Sequence, residues 1–329
     1  MPFARQITSL FCSAQRPMAL SVRAWMVWVV TVMVWGMGTL AVADNIAVVT
    51  GPSTPPFDAA RTQIKQYLEG KGHQVQMITV GTNQAAVQLT PGTSTVVAVG
   101  AAITNWLNDR LPKDLPLVCC MLDEPHHAKL NNRPNLFGIT VNVPIADQIK
   151  LMRATRPALR TIGMVYNSDH PESVAGFHAM RDALPEGIAL NAIAVNEFTS
   201  TAAAFRALLN NRIDFVWTTN DPAVFDYNST RALLLHAFRR GVPIYGFSLP
   251  FVKAGAVVGV GINPADHGLQ TGELAHRVAT KDPAIVNAPD GKWRTSRYQI
   301  GIHHRMARLL RIRISRELRE QADVIIGEN

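Results

Sequence analysis

From residue 44 onward, short runs rich in β-branched residues alternate with helix-like segments, and the alternation starts a second time near residue 161. The first series runs from NIAVVT through TSTVVAVG and LPLVCCML to NLFGITVN, and the second from TIGMVYN through IALNAIAV and DFVWTT to PIYGFS. Strands that alternate with helices of about 10 to 15 residues are typical of βαβ units and parallel sheets. The sequence therefore predicts an α/β fold of two Rossmann-like lobes with parallel sheets, joined near Arg156 and Pro157.

The first 43 residues differ in composition from the rest of the chain. Residues 24–43 carry no charge, three arginines precede them, and the Ala-Val-Ala triplet at 41–43 matches the small residues of a cleavage site. These are the features of a secretory signal, so we predict that residues 1–43 are a signal peptide removed before Asp44. About 20 apolar residues are also enough to cross a bilayer, so an uncleaved anchor is the alternative. Both interpretations place the rest of the chain outside the cytoplasm.

The positive charge of the chain, +8 at pH 7, is concentrated near its C-terminus. Residues 44–290 carry 20 basic and 20 acidic side chains, whereas residues 291–329 carry nine basic and four acidic ones. A nucleic-acid-binding function would rest on this tail alone. Its arginines alternate with aliphatic residues, which favours a solvated helix face or contact with anionic lipid. We therefore predict no nucleic-acid partner.

The glycine-rich stretch GFSLPFVKAGAVVGVGINP, residues 246–264, raises the question of a phosphate-binding loop. Its glycines lack the Lys-Ser/Thr sequel of a Walker A loop and do not follow the first strand of a unit, as a dinucleotide fingerprint requires. Its apolar part is about half of a bilayer crossing. We expect VKAG to form a turn, and Asn263 as N-cap with Pro264 to start a helix. The glycines then mark places where another backbone or a ligand approaches a strand closely.

Catalytic and metal-binding patterns are weak in this sequence. Ser248 follows a strand but lacks the flanking glycines of a nucleophile elbow, and we predict neither an enzyme nor a cofactor. The segment CCMLDEPHH at 119–127 contains side chains that ligate metals, including His126 and His127, so metal binding is a weaker alternative. The adjacent Cys119 and Cys120 do not easily meet disulfide geometry. We expect both to pack as small apolar strand residues.

Several segments together resemble the ABC-transporter substrate-binding proteins of the tryptophan/tyrosine type. Members of that family carry a V-K-A-G-A segment leading into a strand and a G-R-Q-T-G-E-like helix, which correspond here to 252–256 and 268–273. Leu269 replaces the usual arginine. The resemblance extends over nearly all of residues 44–329, and its other segments are PPFDAAR, TIGMVYNSDHPES and LLRIRISRELREQADVII.

The resemblance implies a type I periplasmic-binding architecture, in which two α/β lobes close on a small-molecule ligand. It also implies a periplasmic protein, which we expect to be a monomer, with an ABC permease of the inner membrane as its partner. The first lobe would comprise residues 44–157, completed by about 258–281, and the second residues 158–257, completed by about 295–329. An extracytoplasmic ligand-sensing module for a membrane signalling protein is the alternative function.

Ligands of open α/β sheets bind beyond the carboxyl ends of the strands, where helix N-termini also favour anions. An amino-acid ligand in addition needs a buried carboxylate for its ammonium group, a role that Asp221 or Asp123 can fill. The chain has TTNDP where the family has T-D-N and GFSLP in place of a serine-aspartate pair, which leaves the ligand class open. The predicted ligand contacts follow the strands, and they are Ser53, Thr54, Gly100, Ala101, Asp123 and Glu124 in the first lobe and Tyr166, Asn167, Thr219, Asn220, Asp221 and Ser248 in the second.

Five aromatic residues near these positions have two interpretations. They line a pocket that accepts an aromatic ligand, or they pack within a core. The five are Trp217, Tyr166, Phe225, Tyr227 and Phe247.

Overall fold

The computed structural model of the chain describes residues 44–81, 87–123, 130, 133–287 and 292–328. The predicted signal at 1–43, Glu124 and the histidine pair at 126 and 127 lie outside these residues. No helix in the described ranges is long and apolar enough to span a bilayer.

Strands and helices alternate along the chain as the sequence predicts. The first series consists of β1 (Asn45–Thr50), α1 (Pro55–Gly70), β2 (Gln74–Thr79), β3 (Thr93–Val99), α2 (Ala101–Arg110), β4 (Leu117–Leu122) and β5 (Leu136–Thr140). The second consists of α3 (Ile145–Thr155), β6 (Thr161–Tyr166), α4 (Pro171–Ala183), β7 (Ala189–Ala194), α5 (Thr201–Asn210), β8 (Phe215–Trp217), α6 (Tyr227–Arg240), β9 (Ile244–Gly246), α7 (Leu249–Ala254) and β10 (Val258–Gly261). The C-terminal part adds α8 (Pro264–Ala279), α9 (Pro283–Val286), β11 (Trp293–Thr295), β12 (Gln299–His303), α10 (His304–Leu309), α11 (Arg316–Glu320) and β13 (Val324–Ile326).

The strands form two separate sheets. The first has the order β11-β5-β4-β3-β1-β2 and the second the order β13-β12-β10-β9-β8-β6-β7. Among the described strands, β10 and β12 form the one antiparallel pair, and the other pairings are parallel. The predicted α/β class with parallel sheets is confirmed.

Two segments of the predicted first lobe, α3 and β10, pack with the second sheet. Helix α3 buries Ile149 and Met152 against Phe215 and Trp217 of the second sheet. Strand β10 pairs with β9 and β12, also in the second sheet. Helix α8, which follows β10, packs instead on the core of the first sheet. The chain therefore passes between the sheets before α3, after β10 and again between β11 and β12, while the lobe boundaries themselves stay a prediction.

Each sheet is buried on both faces, as parallel sheets covered by helices generally are. In β1, Ile46 and Val48 belong to one apolar cluster of the first sheet, and the alternating residues belong to the other. Cys119 and Cys120 divide between the same two clusters. Burial raises the pKa of both thiols, that of Cys120 to about 12. Both are therefore unreactive apolar strand residues, as predicted, with no disulfide.

The glycines of the 246–264 stretch allow α7 to lie directly on the second sheet. A Cβ atom at Gly259 would lie 2.2 Å from the carbonyl oxygen of Gly246, and one at Gly261 would lie 2.8 Å from Cγ of Leu249. The prediction of close backbone approach is confirmed. The expected VKAG turn is wrong in part, because residues up to Ala254 continue α7 and the chain turns only at Gly255, with φ of 137°.

The contact between α1 and α8 leads to a prediction about stability. A Cβ atom at Gly268 would lie 2.2 Å from the carbonyl oxygen of Ala60, a backbone atom that cannot rotate away. Overpacking of this kind costs about 1 to 3 kcal/mol, so Gly268→Ala should lower the free energy of unfolding by that amount in urea denaturation. Gly70→Ala at the end of α1 is the matched control, because no atom lies within 4 Å of its Cβ position. Equal destabilisation by the two substitutions would contradict the packing argument.

Candidate functional site

The predicted contact residues lie at one edge of each sheet. Those of the first group follow β1, β3 and β4, which are neighbours in the first sheet. Those of the second group follow β6, β8 and β9, which are neighbours in the second. Because the carboxyl ends of parallel strands meet at the same edge, each described group forms one cluster.

Beyond β1, the chain enters α1 through a turn that exposes hydroxyl groups. Ser53 is exposed and donates a hydrogen bond to the carboxylate of Asp58. Thr54 is the N-cap residue of α1, yet its side chain caps no backbone N–H. Thr50, the last residue of β1, is 2% exposed, and its hydroxyl oxygen has no partner among the described residues. The hydroxyl of Ser53 is taken by Asp58, whereas that of Thr54 is not used as a cap, and a helix N-terminus favours an anionic group.

Beyond β3, Gly100 adopts a backbone conformation that other residues rarely take, with φ of 92°. A Cβ atom there would lie 3.0 Å from the ring of Phe57, so this ring covers the glycine. Ala101 starts α2 and contributes only a methyl group. Sequence reasoning missed Phe57, although it lies in the PPFDAAR segment. The ring supplies an apolar wall beside the Ser53 turn.

Beyond β4, a buried histidine holds the backbone in place. The N–H of Met121, whose φ is 56°, donates to Nε2 of His267 over 2.9 Å. Nε2 therefore carries no proton, and Nδ1–H donates to Oγ of Ser296 over 2.9 Å. His267 is fully buried, and this burial lowers the pKa of its imidazole to about 4. The neutral ring thus fixes the end of β4 two residues before the half-buried Asp123.

Beyond β6, an aromatic stack and a tight turn lie side by side. The ring of Tyr166 stacks on that of Phe177 with centroids 4.8 Å apart. The backbone N–H of Asn167 donates to Oγ of Ser173 over 2.7 Å, and its side-chain oxygen accepts from the N–H of Asp169. Asn167 therefore shapes the turn with its oxygen. Its side-chain NH₂ group remains for a ligand.

Beyond β8, a carboxylate is buried with one oxygen unused. Asp221 is 8% exposed, and its Oδ1 accepts a hydrogen bond of 2.9 Å from the N–H of Ala223. Its Oδ2 is buried and has no partner among the described residues. The neighbouring Asn220 is exposed, and the methyl of Thr219 lies 3.9 Å from the Cβ position of Gly176 on α4. A buried polar atom without a hydrogen bond is costly, which marks Asp221 as a place where a donor is missing.

Beyond β9, Ser248 caps α7. Its Oγ accepts a hydrogen bond of 3.3 Å from the N–H of Phe251, and the residue is half-buried. This bond leaves the hydroxyl proton of Ser248 free to donate to a ligand.

The aromatic candidates divide between core and surface. Trp217 is buried, and its indole N–H donates to Gln148 over 2.7 Å, so it belongs to the core. Phe225 and Phe247 pack against another apolar cluster of the second sheet. Tyr227 is 79% exposed and lines no core. Tyr166 ends β6 and Phe247 follows β9, and both are half-buried against apolar clusters of the second sheet.

Metal binding finds no support in the described ranges. No group of three or more His, Cys, Asp and Glu side chains there is arranged to hold an ion. The candidates Glu124, His126 and His127 lie outside those ranges.

Comparison with known proteins identifies the fold and the family. The ABC domain of Streptococcus pneumoniae, solved in complex with L-Trp, is 21% identical with a TM-score of 0.61, covering 86% of this chain and 100% of that one. A ligand-free, open substrate binding protein with adhesive properties from Clostridium difficile is 18% identical with a TM-score of 0.70, covering 87% and 100%. A conserved domain protein from Vibrio cholerae is 18% identical with a TM-score of 0.60, covering 86% and 99%. These likenesses confirm the type I periplasmic-binding fold.

No curated protein sequence matches the chain significantly. The family model described as ABC transporter substrate binding protein matches residues 59–323, which is most of the chain. The match includes the predicted contacts after β3, β4, β6, β8 and β9, whereas those after β1, Ser53 and Thr54, precede it. This chain therefore belongs to the family of ABC transporter substrate binding proteins.

Proposed function

We propose that this protein is the periplasmic solute receptor of an ABC importer, and that it captures an amine-bearing small solute between its two sheets by hinge closure. It would act as a monomer and deliver the solute to a permease in the inner membrane. Family membership supports transport over a sensing role. The observation that carries the choice of solute is that Oδ2 of Asp221 is buried and has no hydrogen-bond partner among the described residues.

A buried carboxylate with a free oxygen is suited to an ammonium group. Leaving a charge buried without a partner costs several kcal/mol, whereas a matching cation with good geometry offsets that cost. The ammonium of a solute supplies both the charge and the hydrogen-bond donor that Asp221 lacks. The hydroxyl of Ser248 and the NH₂ group of Asn167 are further donors at the same sheet edge.

The first sheet offers the complementary half of the site. The N-terminus of α1, with the hydroxyl of Thr54 beside it, favours a carboxylate. The rings of Phe57 and Tyr166 supply apolar walls. An amino acid, or a related solute with an amine at one end and an acid at the other, matches both halves. The L-Trp bound to the Streptococcus pneumoniae relative is a solute of this class and supports the proposal.

A melting-temperature screen tests this function. The purified protein is heated with amino acids, with amines that lack the carboxylate and with acids that lack the amine. A ligand of the native state adds RT ln(1 + [L]/Kd), about 2.7 kcal/mol at 100 times Kd. We expect the largest upward shift from a solute that carries both groups and the smallest from the acid without the amine. The proposal fails if no amine-bearing solute raises the melting temperature.

A further inference from the structure

The C-terminal part of the chain carries an exposed set of arginines that the proposed solute site does not use. We define the arginine surface as Arg305, Arg308, Arg311 and Arg313, all of which are exposed. Leu309, between them, is 52% exposed. The surface therefore combines four guanidinium groups with one accessible apolar side chain.

These four arginines differ from their neighbours in lacking counter-charges. Arg316 pairs with Glu320 at 2.7 Å and Arg319 pairs with Glu328 at 3.0 Å. No carboxylate of the described residues forms a salt bridge with any arginine of the arginine surface. Their positive charge is consequently available to an external anion.

The local fold directs these side chains outward. Arg305 and Arg308 are three residues apart on α10 and so share one face of that helix. After α10 the chain turns at Arg311, whose φ is 55°, and then continues to Ile314, which packs on a core cluster of the second sheet. Ile312 and Ile314 are half-buried, while the alternating Arg311 and Arg313 are exposed. The aliphatic residues thus anchor the segment, and the arginines are left in solvent.

A groove adjoins this surface. It has a volume of about 1130 Å³, and its lining includes residues 154–158, 310–317 and 319, with Glu317 as its one acidic side chain and no predicted solute contact among them. Arg311 and Arg313 line it without counter-charges, and Arg316 and Arg319 line it as members of ion pairs. Guanidinium groups bind phosphate oxygens bidentately, so the groove is suited to phosphate-bearing headgroups.

We propose that the arginine surface and its groove bind anionic phospholipid headgroups, which holds the protein against the surface of a bilayer. Leu309 adds an apolar contact that a lipid interface accepts. Residues 305–328 contain no aromatic side chain to stack on bases, which disfavours single-stranded nucleic acid. Residues 44–290 carry equal numbers of basic and acidic side chains, so the net positive charge of residues 44–329 comes from the segment that contains these arginines.

Vesicle sedimentation tests this proposal. The purified protein is mixed with phosphatidylcholine vesicles with or without one-third phosphatidylglycerol. Each basic residue near an anionic surface increases the membrane partition coefficient about fivefold. A variant with four substitutions should therefore bind at least a hundredfold more weakly; the four are Arg305→Gln, Arg308→Gln, Arg311→Gln and Arg313→Gln. Salt at about 1 M, where the Debye length is about 3 Å, should abolish wild-type binding.

The matched control removes the same net charge elsewhere. It carries four glutamines in place of the exposed arginines Arg206, Arg212, Arg231 and Arg239, and it should lose less than tenfold. Circular dichroism melting confirms that both variants are folded. Equal loss in both variants, equal binding to vesicles without phosphatidylglycerol, or full competition by inorganic phosphate or an acidic peptide would each overturn the proposal. The wild type and both variants are compared as the processed chain from Asp44, because the apolar residues 24–43 would bind vesicles of either composition.

Discussion

Asp221→Asn should weaken binding of an amine-bearing solute by a factor of about 30 to several thousand while leaving the fold intact. Truncating one partner of a buried, hydrogen-bonded charge pair costs about 2 to 5 kcal/mol of binding free energy. The asparagine oxygen can still accept the hydrogen bond of 2.9 Å from Ala223, so the turn after β8 keeps its structure. Without solute, the free energy of unfolding should not decrease, because the substitution removes a buried charge that has no partner among the described residues.

Isothermal titration calorimetry of both proteins with the solute from the melting screen measures this loss. Glu197→Gln is the matched control, because it removes one exposed carboxylate from the same part of the chain. It should leave Kd unchanged within about threefold, as a surface charge contributes little. If Asp221→Asn binds as tightly as the wild type, Asp221 is not the counter-charge of the amine, and the proposed solute class loses its support.

Acidification should destabilise the folded protein through His267. The imidazole is buried in its neutral form, with its pKa lowered from 6.5 to about 4. The unfolded chain binds a proton below pH 6.5, whereas the native state does so only below about pH 4. The contribution to stability is therefore fully present above pH 6.5 and is lost as the pH falls towards 4. At about 1.4 kcal/mol per pH unit, the loss amounts to about 3 kcal/mol.

Urea denaturation across this pH range separates His267 from the other histidines. Burial also lowers the pKa of His276 and His303, but their effect is the same in wild type and variant. His267→Gln can still accept from the N–H of Met121 and donate to Ser296 without titrating. The variant should lack about 3 kcal/mol of the wild-type pH dependence, whereas His178→Gln, which changes an exposed histidine, should retain it. An unchanged pH dependence in His267→Gln would show that the buried imidazole is not the acid-labile group.

Local features of this fold were predictable because they depend on neighbouring residues. The strand-helix alternation gave the two parallel sheets, since a run of β-branched residues and a helical period are each visible within a few positions. Asn263 caps α8 as expected, accepting from the N–H groups of Ala265 and Asp266. The close contacts of Gly259 and Gly261 agree with the prediction that another part of the chain approaches these glycines.

Features that depend on distant residues were not predictable. Met121 and His267 are 146 positions apart, and nothing near either residue indicates their hydrogen bond. The pairing of β10 with β9 and β12 likewise depends on how α7 lies over its glycines. Helix α7 was missed because six residues containing a proline give too short a periodic pattern.

For the candidate site, the positions of the ligand contacts were predictable from the sequence, but their hydrogen-bond partners were not. The rule that ligands bind after parallel strands placed the predicted contacts at two sheet edges. All three of Asn167, Ser248 and Asp221 follow strands, and Asn167 and Ser248 were the preferred contacts. Only the three-dimensional structure shows that Asn167 and Ser248 already accept hydrogen bonds with their oxygens, whereas Oδ2 of Asp221 has no partner among the described residues.

Hydrogen–deuterium exchange with and without the bound solute tests the central claim most directly. If the solute lies between the two sheets, one bound molecule should slow exchange at the strand ends of both. Protection is expected at residues 50–58 and 100–104 of the first sheet and, in the same experiment, at residues 166–173, 219–225 and 247–251 of the second. Protection confined to one sheet, or to the groove at 154–158 and 310–319, would contradict the claim that the solute binds between the two sheets.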